Sequence, residues 1–480
     1  MGRMTVATEA TEHNAGGFDA LRPRGLVRGR GPRAFGILAI AVLIAGASYL
    51  GPGVRDAVFG PTTAPVRSLL AVPGQATTPD GRLPLADRIA FWTKRVQEQP
   101  SDDLSLLQLA AAYSEQGRLH VDLDAYARAL EAANRALAIS SGYPPGLATR
   151  ASIEFSIHDF GAAEADASAA LVHNPRDPIA LAILGDSLLE LGRTDEATAQ
   201  YDAVATIAGG PSLDIRRARL AYVTGHPGEA LDLARKALQG ASGGPSGAET
   251  TDPIELAFYQ DALGEYARLV GDADTARSAY LAALALRPDD LLSRIGLAKV
   301  AAADGDDVSA IRYLDAAAAI APLPEVEALV GDLHSARGES AAAAVAHDTV
   351  RLTSTLSELA GSVYDRALIL FELDHGGASD AILSRAREAL AVRADYGGHD
   401  VVAWALHRLG RDDEAWAASQ AARTGGIVDA RILFHAGAIA RARGDSAAGE
   451  ALIRQALDLG PALDPADRAE ATALLVRPGG

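Results

Sequence analysis

A reaction centre needs nucleophiles, acid–base pairs or metal ligands at fixed spacing. With no cysteine in the chain, histidine and the carboxylates are the candidates. The eleven histidines are scattered. His407 stands four residues before Arg411 and is not half of a ligand pair. His347 and His435 fall on helix faces, where packing or a surface hydrogen bond suits them better than a metal. Asp304-Gly305-Asp306-Asp307 has the composition of a calcium loop, but it lies between two helices and lacks a glutamate at the twelfth position. It reads as a turn and cap. No phosphate-cradling GxxxxGK[ST], no HExxH, no GxGxxG after a strand and no serine elbow between strand and helix is present. The expectation is a binding protein with no catalytic residue, cofactor or metal.

Composition says what kind of elements would carry a binding surface. Alanine dominates the 49% hydrophobic residues and aromatics are 5%, which suits closely packed helices and an all-α class. At 480 residues the chain exceeds what one core usually supports, so either several domains or a one-dimensional array is expected. A net charge of −18 with no basic cluster in the helical region excludes a nucleic-acid partner from the expectation.

The N-terminal part differs from the rest. Residues 1–33 are polar and read as a disordered cytoplasmic N-terminus, ending in Arg22, Arg24, Arg28, Arg30 and Arg33. Residues 34–50 (AFGILAIAVLIAGASYL) carry no charge and would span about 26 Å as a helix, close to a bilayer core. The arginines ahead of this run predict a cytoplasmic N-terminus and an exported remainder. Three readings of the run are an uncleaved signal anchor, a signal peptide cut after Ala45-Gly46-Ala47, and a buried helix of a soluble protein. The anchor is favoured because the run continues past the candidate cut and has no polar stripe. It implies a single-pass cell-membrane protein with the rest outside the cytoplasm; cleavage near Ala47 would give a secreted one. Residues 51–84, rich in Pro, Gly and Thr, read as a linker.

Beyond it the apolar residues recur at helical spacing, and glycine followed by a polar residue cuts the helices at short intervals. Gly192, Ala197, Tyr201 and Val204 share one spacing with Gly225, Ala230, Ala234 and Ala237, and with Gly271, Ala276, Tyr280 and Ala283. Gly305, Gly338, Gly410 and Gly444 each begin a further copy. Leu181, Leu184, Gly185 and Leu188 show the pattern of the preceding helix, and Pro175, Pro288, Pro322 and Pro461 follow second helices. Asp195, Asp274, Asp412 and Ser446 are placed to cap the second helices. This pattern resembles the tetratricopeptide repeat over residues 103–463. The resemblance implies a right-handed solenoid of about ten helical hairpins, starting near Asp103, Pro144, Pro178, Pro211, Ala257, Leu291, Pro324, Val363, Tyr396 and Ala430. Residues 85–102 read as an N-terminal capping helix, 464–480 as a C-terminal capping helix and tail, and 239–252 as a loop insertion.

In that family the first helices line a concave groove. Carrying the groove positions over gives Arg219, Tyr222, Asp261, Glu265, Arg268, Lys299, Asp332, Trp404 and His407, with Arg216 adjacent. The carboxylate-clamp lysine and asparagine positions hold Ala182 and Asp186 instead, so chaperone-tail binding is not implied. The implied function is a membrane-anchored scaffold presenting a groove to a protein or extended peptide outside the cytoplasm. Alternatives are a secreted adaptor, an accessory subunit of an enzyme complex and a self-assembling structural protein, and the oligomeric state is left open.

Overall fold

The computed structural model describes residues 84–243, 252–359 and 366–476. The expected membrane segment 34–50 and the polar stretch before it lie outside these residues, as do residues 244–251 of the expected insertion. Among the described residues, no helix is long and apolar enough to cross a membrane.

Helix α1 (Leu85–Glu98) precedes a run of antiparallel hairpins. The first five are α2 (Asp103–His120) with α3 (Leu123–Ile139), α4 (Pro144–Ser156) with α5 (Phe160–His173), α6 (Pro178–Glu190) with α7 (Thr194–Ala205), α8 (Pro211–Val223) with α9 (Pro227–Ala241), and α10 (Pro253–Leu269) with α11 (Ala273–Leu286). Then come α12 (Leu291–Ala303) with α13 (Asp307–Ala318), α14 (Pro324–Ala336) with α15 (Ser340–Leu359), α16 (Arg366–His375) with α17 (Asp380–Val392), α18 (Tyr396–Arg408) with α19 (Asp412–Ala422), and α20 (Ala430–Ala442) with α21 (Ser446–Asp458). A 3-10 turn at Gly460–Ala462 leads into α22 (Pro465–Val476). The described residues are helical throughout, with no strand.

Local chemistry explains the boundaries. Proline opens α6, α8, α10 and α14, where a missing N–H costs nothing. Three second helices are capped by the aspartate directly after the turn glycine: Asp272, Asp306 and Asp445 accept the backbone N–H groups of Thr275, Ser309 and Ala448. The expected caps Asp195, Asp274, Asp412 and Ser446 instead sit within the helices. Where arginine follows the glycine, at Arg193 and Arg411, the side chain does not cap and pairs with Glu196 or Glu414 one turn on. Asp304-Gly305-Asp306 is an inter-helical turn closed by that same cap.

Burial separates two layers. Second helices bury one stripe, such as Gly449, Ile453 and Ala456 in α21. First helices are covered nearly all round: Ile432 through Ala440 of α20 are consecutively buried. The reason is geometric, because each first helix packs on its own partner, on the second helix before it and on neighbouring first helices. Close approach needs small residues at the seams. Gly264 is one, since a Cβ there would lie 2.7 Å from the Tyr280 ring.

Successive turns of the superhelix also touch. The largest apolar cluster runs from Ala151 to Val300 and takes in Ala422, Ile427 and Ile432. Tyr222 Oη donates to Asp429 at 2.9 Å, across 207 residues, and Arg268 Nη1 donates to the Pro461 carbonyl at 3.0 Å.

Candidate functional site

The first helices carry carboxylates that face the next hairpin, and each finds a donor there or on its own second helix. Asp186 accepts from Tyr201 Oη at 2.8 Å and from Arg216 Nε at 3.0 Å. Glu265 accepts from Tyr280 Oη at 2.9 Å and from both ends of the Arg268 fork. Glu190 lies between Arg219, at 3.1 Å, and Arg393 from a later turn. Burial alone would raise its pKa, but Arg393 and Arg219 outweigh burial and hold the carboxyl at about 2.

The residues implied as groove-lining are therefore members of interior networks. Lys299 bridges Glu325 at 3.1 Å and Asp464 at 3.2 Å, the latter leading into α22. Arg216, Arg268 and Tyr222 are buried, and Arg219 packs over the Tyr396 ring. Trp404 is fully buried: its Nε1 donates to Asp374 at 2.8 Å, its ring stacks on His435 at 3.9 Å, and Arg408 covers it at 4.2 Å. His407 bonds Asp412 at 2.6 Å, tying the end of α18 to the start of α19. Glu265 has the most open side chain among those of the set in ion pairs, at 24% exposure. Most of these ten side chains sit in polar contacts within and between hairpins. A later superhelical turn covers Arg219, Tyr222, Arg268 and Lys299.

Asp261 is the exception in one respect, because it lines a recess. The recess lies where the end of α2 meets the hairpins of α10 and α12, and it opens to solvent. Ile254, Phe258, Leu292 and Ile320 give it apolar walls, Arg118 and Arg287 bring charge, and Asp261 brings a carboxyl to the same space. Arg287 holds the two sides together, donating to the Leu119 carbonyl and pairing with Asp290 at 3.2 Å. Burial, reinforced by the charge of Asp290, pushes the Asp261 carboxyl well up, while Ser293 Oγ donates to it at 2.8 Å. A group that resists ionisation in an apolar recess can accept and donate hydrogen bonds without presenting a charge. The sequence marked Asp261 but not its partners on α2, which stand more than a hundred residues away and have no spacing signature.

A second cluster joins an expected residue to one the sequence left aside. Asp332 Oδ1 lies 3.2 Å from His347 Nε2 and 3.2 Å from His375 Nε2. Burial and the neighbouring His375 draw the His347 imidazole below its ordinary range. The detectable signal was that histidine stands at 347, where sister repeats have Tyr201 and Tyr280.

No family model matches the chain, and no curated protein matches it. Among solved structures it is similar to a tetratricopeptide repeat protein from Parabacteroides merdae, at 15% identity over 49% of this chain and 86% of that one, with a TM-score of 0.38. It is also similar to YrrB, described as a TPR protein with an unusual peptide-binding site, at 16% identity over 40% and 94% of the two chains and a TM-score of 0.27. A third similar structure is human IFIT1 with m7Gppp-AAAA, at 14% identity over 71% and 76% and a TM-score of 0.46.

Proposed function

We propose that the chain is a non-catalytic binding scaffold that holds a segment of a protein or an extended peptide, carried on a single-pass anchor at residues 34–50 with its hairpins outside the cytoplasm. The observation behind the binding role is the recess at Asp261. Apolar walls from Ile254, Phe258, Leu292 and Ile320 fit a large apolar side chain, and Arg118, Arg287 and Asp261 offer hydrogen bonds to the backbone on either side of it. Three elements distant in sequence build this recess, so it exists only when the solenoid is wound. The membrane placement is supported by the uncharged run and the five arginines before it.

Photo-crosslinking of the full chain in its own cells tests the binding role. A crosslinker placed at Phe258 is expected to give discrete adducts, and one at Val172, an exposed residue of α5, is expected to give none. Adducts at neither position, or equally at both, would refute a specific site in the recess. A topology reporter fused after Gly480 tests the second part: activity confined to the cytoplasmic side would overturn the exported arrangement.

A further inference from the structure

We propose that Asp332, His347 and His375 form a binding site for one divalent first-row transition ion, which ties the seventh hairpin to the eighth. The three side chains come from three helices, α14, α15 and α16, and their ligand atoms all lie within 4.8 Å of one another. Two of the three edges are 3.2 Å long. Ligands on a tetrahedral zinc ion at bond lengths of 2.0–2.1 Å stand about 3.3 Å apart. The donors are thus already near ligand spacing on the edges that involve Asp332, and the imidazole rings, with centroids 4.3 Å apart, have a short distance to move. All three side chains are mostly buried, with exposures of 11–18%, and the Phe371 ring packs 4.6 Å from His375 and 5.5 Å from His347.

Comparison within the chain shows what is unusual here. Asp186 with Tyr201, Glu265 with Tyr280 and Asp332 with His347 are the same pairing, each separated by 15 residues and each linking a first helix to its second. In the first pair the following hairpin adds Arg216, a permanent cation that satisfies the carboxylate. In the seventh hairpin a tyrosine that can only hydrogen-bond is replaced by His347, and the group arriving from the following hairpin is His375. Where the first site holds a tyrosine and an arginine, neither of which coordinates at neutral pH, this one holds two imidazoles, each with a lone pair. Two nitrogens and one carboxylate oxygen suit zinc, nickel or iron(II), with a position left for water or an incoming ligand, and do not suit calcium or magnesium. Gly331 keeps the place open, because a Cβ there would meet His347 Nε2 at 2.3 Å.

The location gives the ion a structural task. Among the described residues, the apolar contact at this joint is a small separate cluster of Val350, Leu368 and Phe371 with Ala328 against it, smaller than the clusters on either side. An ion held by both hairpins would cross-link them at this joint.

Zinc is the probe. Full-length protein, purified without a metal-affinity tag and stripped with chelator, is titrated with Zn²⁺ against a chromophoric chelator, and its metal content is counted by mass spectrometry. One zinc per chain at micromolar or tighter affinity is expected, with a rise in melting temperature on the order of a few degrees. His347→Tyr reproduces the residue of the sister repeats; it should fold with unchanged helicity, lose at least tenfold in affinity and show no zinc-dependent rise. His375→Gln should do the same, and it decides the matter alone if His347→Tyr does not fold. No zinc uptake by the native chain, or uptake undiminished in the folded variants, overturns the proposal.

Discussion

At the scale of single residues, interior charge is the organising feature. A carboxylate taken out of water is costly unless a cation and hydrogen bonds meet it, and removing one partner leaves the other stranded. Glu190 is the clearest case. Its carboxyl is held at about 2 against an ordinary 4.5, so its stabilising pairing is fully present above pH 4.5 and is lost as pH falls from there toward 2. The loss is on the order of 3 kcal/mol. Denaturant midpoints between pH 6 and pH 3 should therefore fall more steeply in the native chain than in Glu190→Gln, which should already be destabilised at pH 6; parallel curves would show that the pairing contributes little.

At the scale of elements, the hairpins from the third onward turn on a glycine in the left-handed region, where the first two use Val121 and His158, but those glycines are not equivalent. Gly225 has φ +83° and its missing Cβ would lie 2.3 Å from the Gly426 carbonyl oxygen, on the next superhelical turn. Gly410 has φ +73° and nothing near it. Gly410→Ala should cost roughly 1 kcal/mol, the backbone strain alone. Gly225→Ala should cost clearly more, because backbone must move as well, and chemical denaturation of the two variants distinguishes the cases. Equal costs would mean that the turns do not touch at Gly225. The repeated glycine was visible in the sequence because it serves a local turn. Its second duty was not visible, because the atom it avoids belongs to a residue about two hundred positions away. The caps show the same limit on a smaller scale: the Gly-Asp pairs at 271–272, 305–306 and 444–445 place the cap directly after the glycine, one or two residues earlier than periodicity alone suggested.

For the whole molecule, an open solenoid would unfold repeat by repeat, since each unit touches only its neighbours. Contacts between turns change that expectation. Tyr222 with Asp429, Glu190 with Arg393 and Lys299 with Asp464 join the third, fourth and sixth hairpins to the last third of the chain. Replacing Tyr222 by Phe and Lys299 by Met together should cost about 2–4 kcal/mol. It should broaden the unfolding transition, raise the radius of gyration in X-ray scattering and speed hydrogen exchange in α20 and α22. An unchanged scattering curve with unchanged exchange would show that the turns stay joined without these bonds.

The sequence by itself determined the hairpins. A helix pair is built from neighbours a few tens of residues apart, so its small residues, turn glycines and prolines must recur with the repeat and can be read off in order. Only the tertiary structure decided what the first helices face. The winding of a superhelix sums small rotations over several units, and one slightly tighter unit decides whether the concave side stays open or is covered by the next turn. Here it is covered at Arg219, Tyr222 and Arg268, which makes them interior, whereas Trp404 is buried by the hairpins on either side of its own. The same winding brings Asp261 to a recess shared with α2, and the joint between α14, α15 and α16 brings Asp332 to two histidines. Partnerships of this kind depend on distance in space, and nothing in the order of residues records it.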